Sequence, residues 1–167
     1  MGPVPKADVW LIEIIFRTNG PKFFTLCIGD DTLPIHHTKQ LLLCNHIRSI
    51  KAAATRAGVT IPDDVDLEIP YATYCLSDAL EKIRCHDDDK TATIVDTINL
   101  LLDCVRVSDG VLPSRHKEAL YGLADHLTFH TSLRAYFDAT HRQRAEALDA
   151  FLWCIGWLTT HSLVIDN

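Results

Sequence analysis

The stretch VWLIEIIFRTNGPKFFTLCI, residues 9–28, decides the fold class. Residues 9–17 are rich in β-branched and aromatic types, which suit a pleated, half-buried surface. Trp10, Ile12, Ile14 and Phe16 fall on one face by period-two alternation, with Glu13 and Arg17 on the other. Residues 22–28 read as a second strand. Thr18-Asn19-Gly20-Pro21 joins them and carries the Asn-Gly hairpin signal. Pro21 has no N–H to close the tightest turn, so a slightly longer loop is expected. Two strands alone are marginal in water. This ribbon must therefore lie on helices or give its exposed edge to a partner.

Outward from the ribbon the patterning turns helical. Gly29-Asp30-Asp31 ends the second strand, and a helix is expected from about Thr38 to Ala57, stopped by Gly58. Leu42, Cys44, Ile47, Ile50 and Ala54 would supply its apolar surface. Residues 61–70, bracketed by Pro62 and Pro70, read as an extended loop, followed by a helix over roughly Tyr71 to Arg84. The clearest helix runs from about Asp89 to Val107. Ile94, Ile98, Leu101, Leu102 and Val105 form its core stripe; Asp96, Asn99, Asp103 and Arg106 face away. Ser108-Asp109-Gly110 breaks it, and helices follow near 113–129, 131–139 and 142–163. The expected fold is mainly α (α+β): an N-terminal β-hairpin (about 9–28) packed on a bundle of five to six helices (about 38–163), as one domain.

The 167 residues carry 16 Lys+Arg against 22 Asp+Glu, a formal charge of −6. Proteins that grip a phosphate backbone need a concentrated positive field, so no direct nucleic-acid binding is expected. The longest apolar run, Ala150 to Leu158, is too short for a bilayer, and the start Met1-Gly2-Pro3 has no signal-peptide pattern. The six cysteines then read as reduced thiols, mostly core hydrophobes, and the expected location is cytoplasmic.

Charge is unevenly spread. Lys39, Arg48, Lys51 and Arg56 make the first helix basic, whereas nine acids lie between Val59 and Asp89. Asp63, Asp64, Asp66, Glu68, Asp87, Asp88 and Asp89 are the candidates for docking a basic partner, alongside the bland reading of solvated loops. The final helix is apolar all round at Phe151 to Leu158, as a central core helix would be. If one side stays open, Trp153 and Trp157 would make a hot-spot pair for a partner or a homodimer.

Candidates for chemistry are sparse. His126 and His130 stand four apart, a spacing used by zinc pairs, but no further ligands lie nearby in sequence. Cys85-His86-Asp87-Asp88-Asp89 reads as a helix cap. The chain has no phosphate-cradling GxxxxGK[ST] loop and no GxSxG elbow. No cofactor and no enzymatic activity are expected.

The stretch Val105-Arg106-Val107-Ser108-Asp109-Gly110-Val111 resembles the helix–Ser-Asp-Gly–helix signature of TerB-like tellurite-resistance domains, over about residues 94–129. That resemblance implies an all-helical stress module with a cation site at Asp109. Here the next helix opens with Ser114-Arg115-His116-Lys117 in place of the family's acids. The leading expectation is a non-enzymatic interaction or inhibitor protein, whose acidic face meets a basic, nucleic-acid-handling protein. Immunity proteins and anti-CRISPR-type inhibitors of bacterial or phage conflict systems are the analogous class. The TerB-like cation-binding module is the alternative.

Overall fold

The computed structural model describes residues 8–29, 33–138 and 141–166. Asp30, Asp31 and the N-terminal segment read above lie outside these. In chain order the elements are β1 (Val9–Ile15), β2 (Lys22–Ile28), β3 (Leu33–Pro34), β4 (His36–His37) and β5 (Gln40–Cys44), then a 3-10 turn (Ile47–Ser49) and α1 (Ile50–Ala57). There follow β6 (Ala72–Cys75), α2 (Leu76–Cys85), α3 (Ala92–Val107), α4 (Ser114–Phe129), α5 (Leu133–Asp138), α6 (His141–Thr160) and β7 (Ser162–Ile165).

The ribbon is present, with β1 and β2 antiparallel and Val9 opposite Ile28. It is the centre of the sheet and not an appendage. The strand order is β4-β5-β2-β1-β6, with β3 on β2 and β7 on β5. Two of the joins are parallel, β6 on β1 and β7 on β5. The edge expected to need a partner is thus covered by the chain itself.

Both faces of this sheet are buried. Ile12, Ile14, Cys27, Leu41 and Leu43 point into the larger core, built with α2 to α6. Val9, Leu11, Phe24, Leu26, Leu42 and Cys44 point into a second core closed by α1 and the loop after it. The period-two alternation of residues 9–16 therefore holds, but Glu13 on the reverse face is itself buried, paired with Lys22 at 3.0 Å and accepting from Thr73 at 3.2 Å.

Three expected helices shrink, the first of them for this reason. A strand covered on both sides reads as a continuous apolar run, which periodicity does not separate from a buried helix. Leu41-Leu42-Leu43-Cys44 is such a strand, and a helix starts only at Ile50. The turn before it puts Thr38 at φ 48 and Lys39 at φ 67, the left-handed pair of a tight hairpin. The helix expected at Tyr71 is preceded by β6, and the last helix yields to β7 before Leu163. Nor is that last helix covered on every side: Leu152 is 51% exposed. Among the described residues, no helix is long and apolar enough to cross a membrane.

Candidate functional site: an acidic trough at the sheet edge

β6 ends the sheet, and the loop leading into it shapes the surface there. Val59, Ile61, Val65 and Leu67 pin that loop to the second core. Asp66 Oδ1 then accepts the N–H groups of Glu68 (2.7 Å) and Ile69 (3.3 Å), a local turn that throws Ile69 outward to 70% exposure. Pro70 follows, and Tyr71 N–H donates to the Leu11 carbonyl at 2.8 Å, which begins the β6 register. The Tyr71 side chain is 76% exposed and tilts against Trp10, ring centroids 6.2 Å apart.

Three depressions adjoin along this edge. The first, about 410 Å³, lies between the start of β1 and the 62–70 loop. The second, about 160 Å³, lies between the sheet and α3, and shares Trp10 and Tyr71 with the first. The third, about 360 Å³, follows β6 and shares Tyr74 and Asp96 with the second. This run of adjoining depressions around the sheet edge is called the trough below. Its carboxylates are Asp8, Asp64 and Asp66 in the first part, Asp96 and Asp103 in the second, and Asp78 and Asp89 in the third. Among the described residues, no Lys, Arg or His lines the first two parts. The third also holds Lys82 and Lys90. Lys82 is engaged by Asp87 (3.3 Å) and the Asp89 carbonyl (2.7 Å), and Asp103 pairs with Arg106 at 2.9 Å.

The buried wall of the trough feels these acids. Burial, then the Asp96 carboxylate with Cys27 and Tyr71, pushes the Tyr74 phenol up to about 12. Burial and then Asp103 push the Cys27 thiol up to about 12. Burial is the larger cause at both groups, and the carboxylates add to it.

The acids singled out in the sequence divide by role. Asp64, Asp66 and Asp89 line the trough. Glu68 is exposed at the loop tip, and Asp63 lies on the loop's other flank, beside Lys51 and Thr55. Asp88 anchors α5, accepting from Leu133 N–H at 2.6 Å and from the Ser132 hydroxyl at 3.1 Å. Asp87 accepts from Asp89 N–H at 3.0 Å as well as from Lys82. Trp153 and Trp157 stack at 5.2 Å, and Trp157 stacks again on His161 at 3.7 Å.

The metal candidates are engaged with protein groups. Asp109 pairs with Lys39 at 2.6 Å, and His126 Nε2 donates to the Ser132 carbonyl at 3.0 Å, with the His130 ring 5.0 Å away. Among the described residues, no group of three or more His, Cys, Asp or Glu side chains is placed to hold a metal ion.

Reading the sequence for sites missed Asp8, Trp10, Tyr71, Tyr74, Asp78, Asp96 and Asp103. The signal for part of the set was the stripe Asp96, Asn99, Asp103, spaced i, i+3, i+7 on one face of α3. The joining of that stripe to Tyr71 comes only with the parallel pairing of β6.

No family model matches the chain, and no curated protein matches it. Among solved structures, the chain is similar to the SatS C-terminal domain, crystallised in complex with bromine. The two are 16% identical over 94% of each chain, with a TM-score of 0.48.

Proposed function

We propose that this chain is a non-enzymatic protein-interaction domain that takes a basic partner on the trough beside β6. One observation carries the reading: outward-facing Ile69 and Tyr71 stand at adjoining depressions whose charged side chains are all carboxylates. A large apolar group held out in water beside like charges is costly to solvation and useful to docking. Carboxylates around it would steer a basic surface, and the aromatic and aliphatic groups would hold it once there. Concentrated basic surfaces belong above all to proteins that handle nucleic acids. Inhibition of such a protein, by covering the surface it uses for nucleic acid, is the specific form proposed.

The test is paired affinity capture from the source cell, using the wild-type chain and the variant Asp8→Lys/Asp64→Lys, both in the first part of the trough. Asp66 is left in place because it caps the loop. A basic protein enriched by the wild type, lost with the variant and released by salt is the expected result. Capture that is equal for both chains, or that brings down acidic partners, refutes the reading.

A further inference from the structure

Resting on that reading, we infer that the small pocket between the sheet and α3 takes one arginine side chain of the basic partner. Its guanidinium lies against the corner made by Trp10 and Tyr71 and forks onto Asp96. The pocket has a volume of about 160 Å³. A water's share of liquid volume is about 30 Å³, so the space suits one side-chain head and not a length of peptide.

The strand register sets the walls. Trp10 and Ile12 share a face of β1 by alternation, and Tyr74 pairs with Ile14 on that same face, so all three rise toward α3. Ile12, Cys27 and Leu100 are buried and make an apolar base. Trp10, Tyr71 and Tyr74 stand around it, with the Tyr71 ring tilted at 46° to the indole. Rings set at an angle over an apolar base offer π-faces, which attract cations. The charged groups of the lining are Asp96 and Asp103. Asp103 is held by Arg106, whereas Asp96 is exposed and, among the described residues, has no ion pair. Asp96 is therefore the carboxylate offered to an incoming cation.

Lysine and arginine fit such a place unequally. An ammonium is a compact, strongly hydrated charge that loses much of its hydration over an apolar base. A guanidinium is more weakly hydrated, stacks its plane on aromatic rings and presents paired N–H groups to a carboxylate. Rings on one side and a carboxylate at the rim match both properties at once. Asp8, Asp64 and Asp66 in the adjoining depression would steer the partner without touching the head group.

The test uses the isotope-labelled full chain and the tripeptide acetyl-Gly-Arg-Gly-amide, followed by NMR in low salt. The peptide should shift the Trp10 indole N–H and the Asn99 amide saturably. Citrulline in place of arginine keeps the shape and loses the charge, and should bind at least about ten-fold more weakly; this arm leaves the protein untouched. Tyr71→Ala and Asp96→Asn, both at exposed side chains, should each weaken affinity about five-fold or more, and a lysine peptide should bind about three-fold or more weakly. No saturable shift at Trp10, equal binding by the citrulline peptide, or unchanged affinity in both variants overturns the pocket. Equal binding by the lysine peptide overturns the choice of guanidinium. Each of these failures leaves the acidic-face reading standing. That reading fails separately, by equal capture of partners with Asp8→Lys/Asp64→Lys, a variant whose pocket residues are intact.

Discussion

The indole Nε1–H of Trp157 donates to Ser108 Oγ at 2.8 Å, tying α6 to the turn between α3 and α4. Ser108 Oγ in turn donates to the Cys104 carbonyl at 2.6 Å, so the hydroxyl joins three elements through one buried atom. Gly110 sits beneath the same indole. A Cβ there would lie 2.6 Å from Val105 Cγ1 and 2.8 Å from Trp157 Cε2. Gly110→Ala should therefore destabilise by about 1–3 kcal/mol, the usual cost of overpacking. Ser108→Ala, which leaves the indole N–H without its acceptor, should cost about 1–3 kcal/mol. Urea denaturation curves check both, and a wild-type midpoint for Gly110→Ala would contradict the packing.

Thr38 is β-branched yet held at φ 48 in the two-residue turn between β4 and β5. Asparagine tolerates that region, and Asn-Gly is the favoured pair there. Thr38→Asn should raise stability by a few tenths of a kcal/mol, up to about 1, with Lys39 and its ion pair left in place. Thr38→Val should do the opposite. Thermal melts of the two variants decide the sign.

Thiol reactivity should be strongly graded. All six cysteines are free; Cys27, Cys44, Cys104 and Cys154 are buried, Cys75 is half-buried and Cys85 is exposed. Burial pushes Cys44 up to about 11, Cys154 up to about 12 and Cys104 well above the ordinary thiol range. Iodoacetamide at pH 8 should label Cys85 first and the buried four only on unfolding. Cys85 itself should react slowly, because its S–H donates to the Glu81 carboxylate at 3.1 Å, which raises its pKa. Glu81→Gln should speed labelling at Cys85 and nowhere else, as read by peptide mass spectrometry.

Acid should weaken the fold through α2 and its C-terminal loop. Hydrogen bonds from Arg84 and then Cys85 hold the Glu81 carboxyl down at about 2, against an ordinary 4.5. Asp87 is lowered by the Asp89 N–H and then Lys82. A carboxyl lowered in the folded state adds stability above its unfolded pKa, and that contribution is lost as pH falls toward the folded value. Both groups are exposed, so the loss between pH 4.5 and 2 should be small. Glu81→Gln/Asp87→Asn should flatten the pH dependence of the urea midpoint in that window; an unchanged slope would show the pairs contribute nothing.

The hairpin at residues 9–28 was legible because its turn carries Asn19-Gly20 and its flanks alternate at period two. The rest of the sheet was not, for three separate reasons. Leu41-Leu42-Leu43-Cys44 is apolar on both faces, so the alternation that marks a strand is absent. β6 and β7 have four residues each, below the length at which a period can be counted, and each abuts a longer helical pattern. Their partners β1 and β5 are joined in parallel across long stretches of chain, which local patterning does not encode. The site followed suit. Asp64 and Asp66 stood out by charge, but Trp10, Tyr74 and Asp103 belong to three elements and become neighbours only through that parallel pairing.

The parallel join of β7 to β5 also sets an order of events. Leu41 meets Ser162 and Cys44 meets Ile165, so the outer rim of β5 stays open until α6 and β7 have both left the ribosome. During synthesis an apolar, two-faced strand would wait with one rim uncovered, the kind of surface that invites mispairing. Contacts between segments so distant in sequence are slow to form. A nascent chain lacking β7 should therefore need chaperone cover that the finished domain does not.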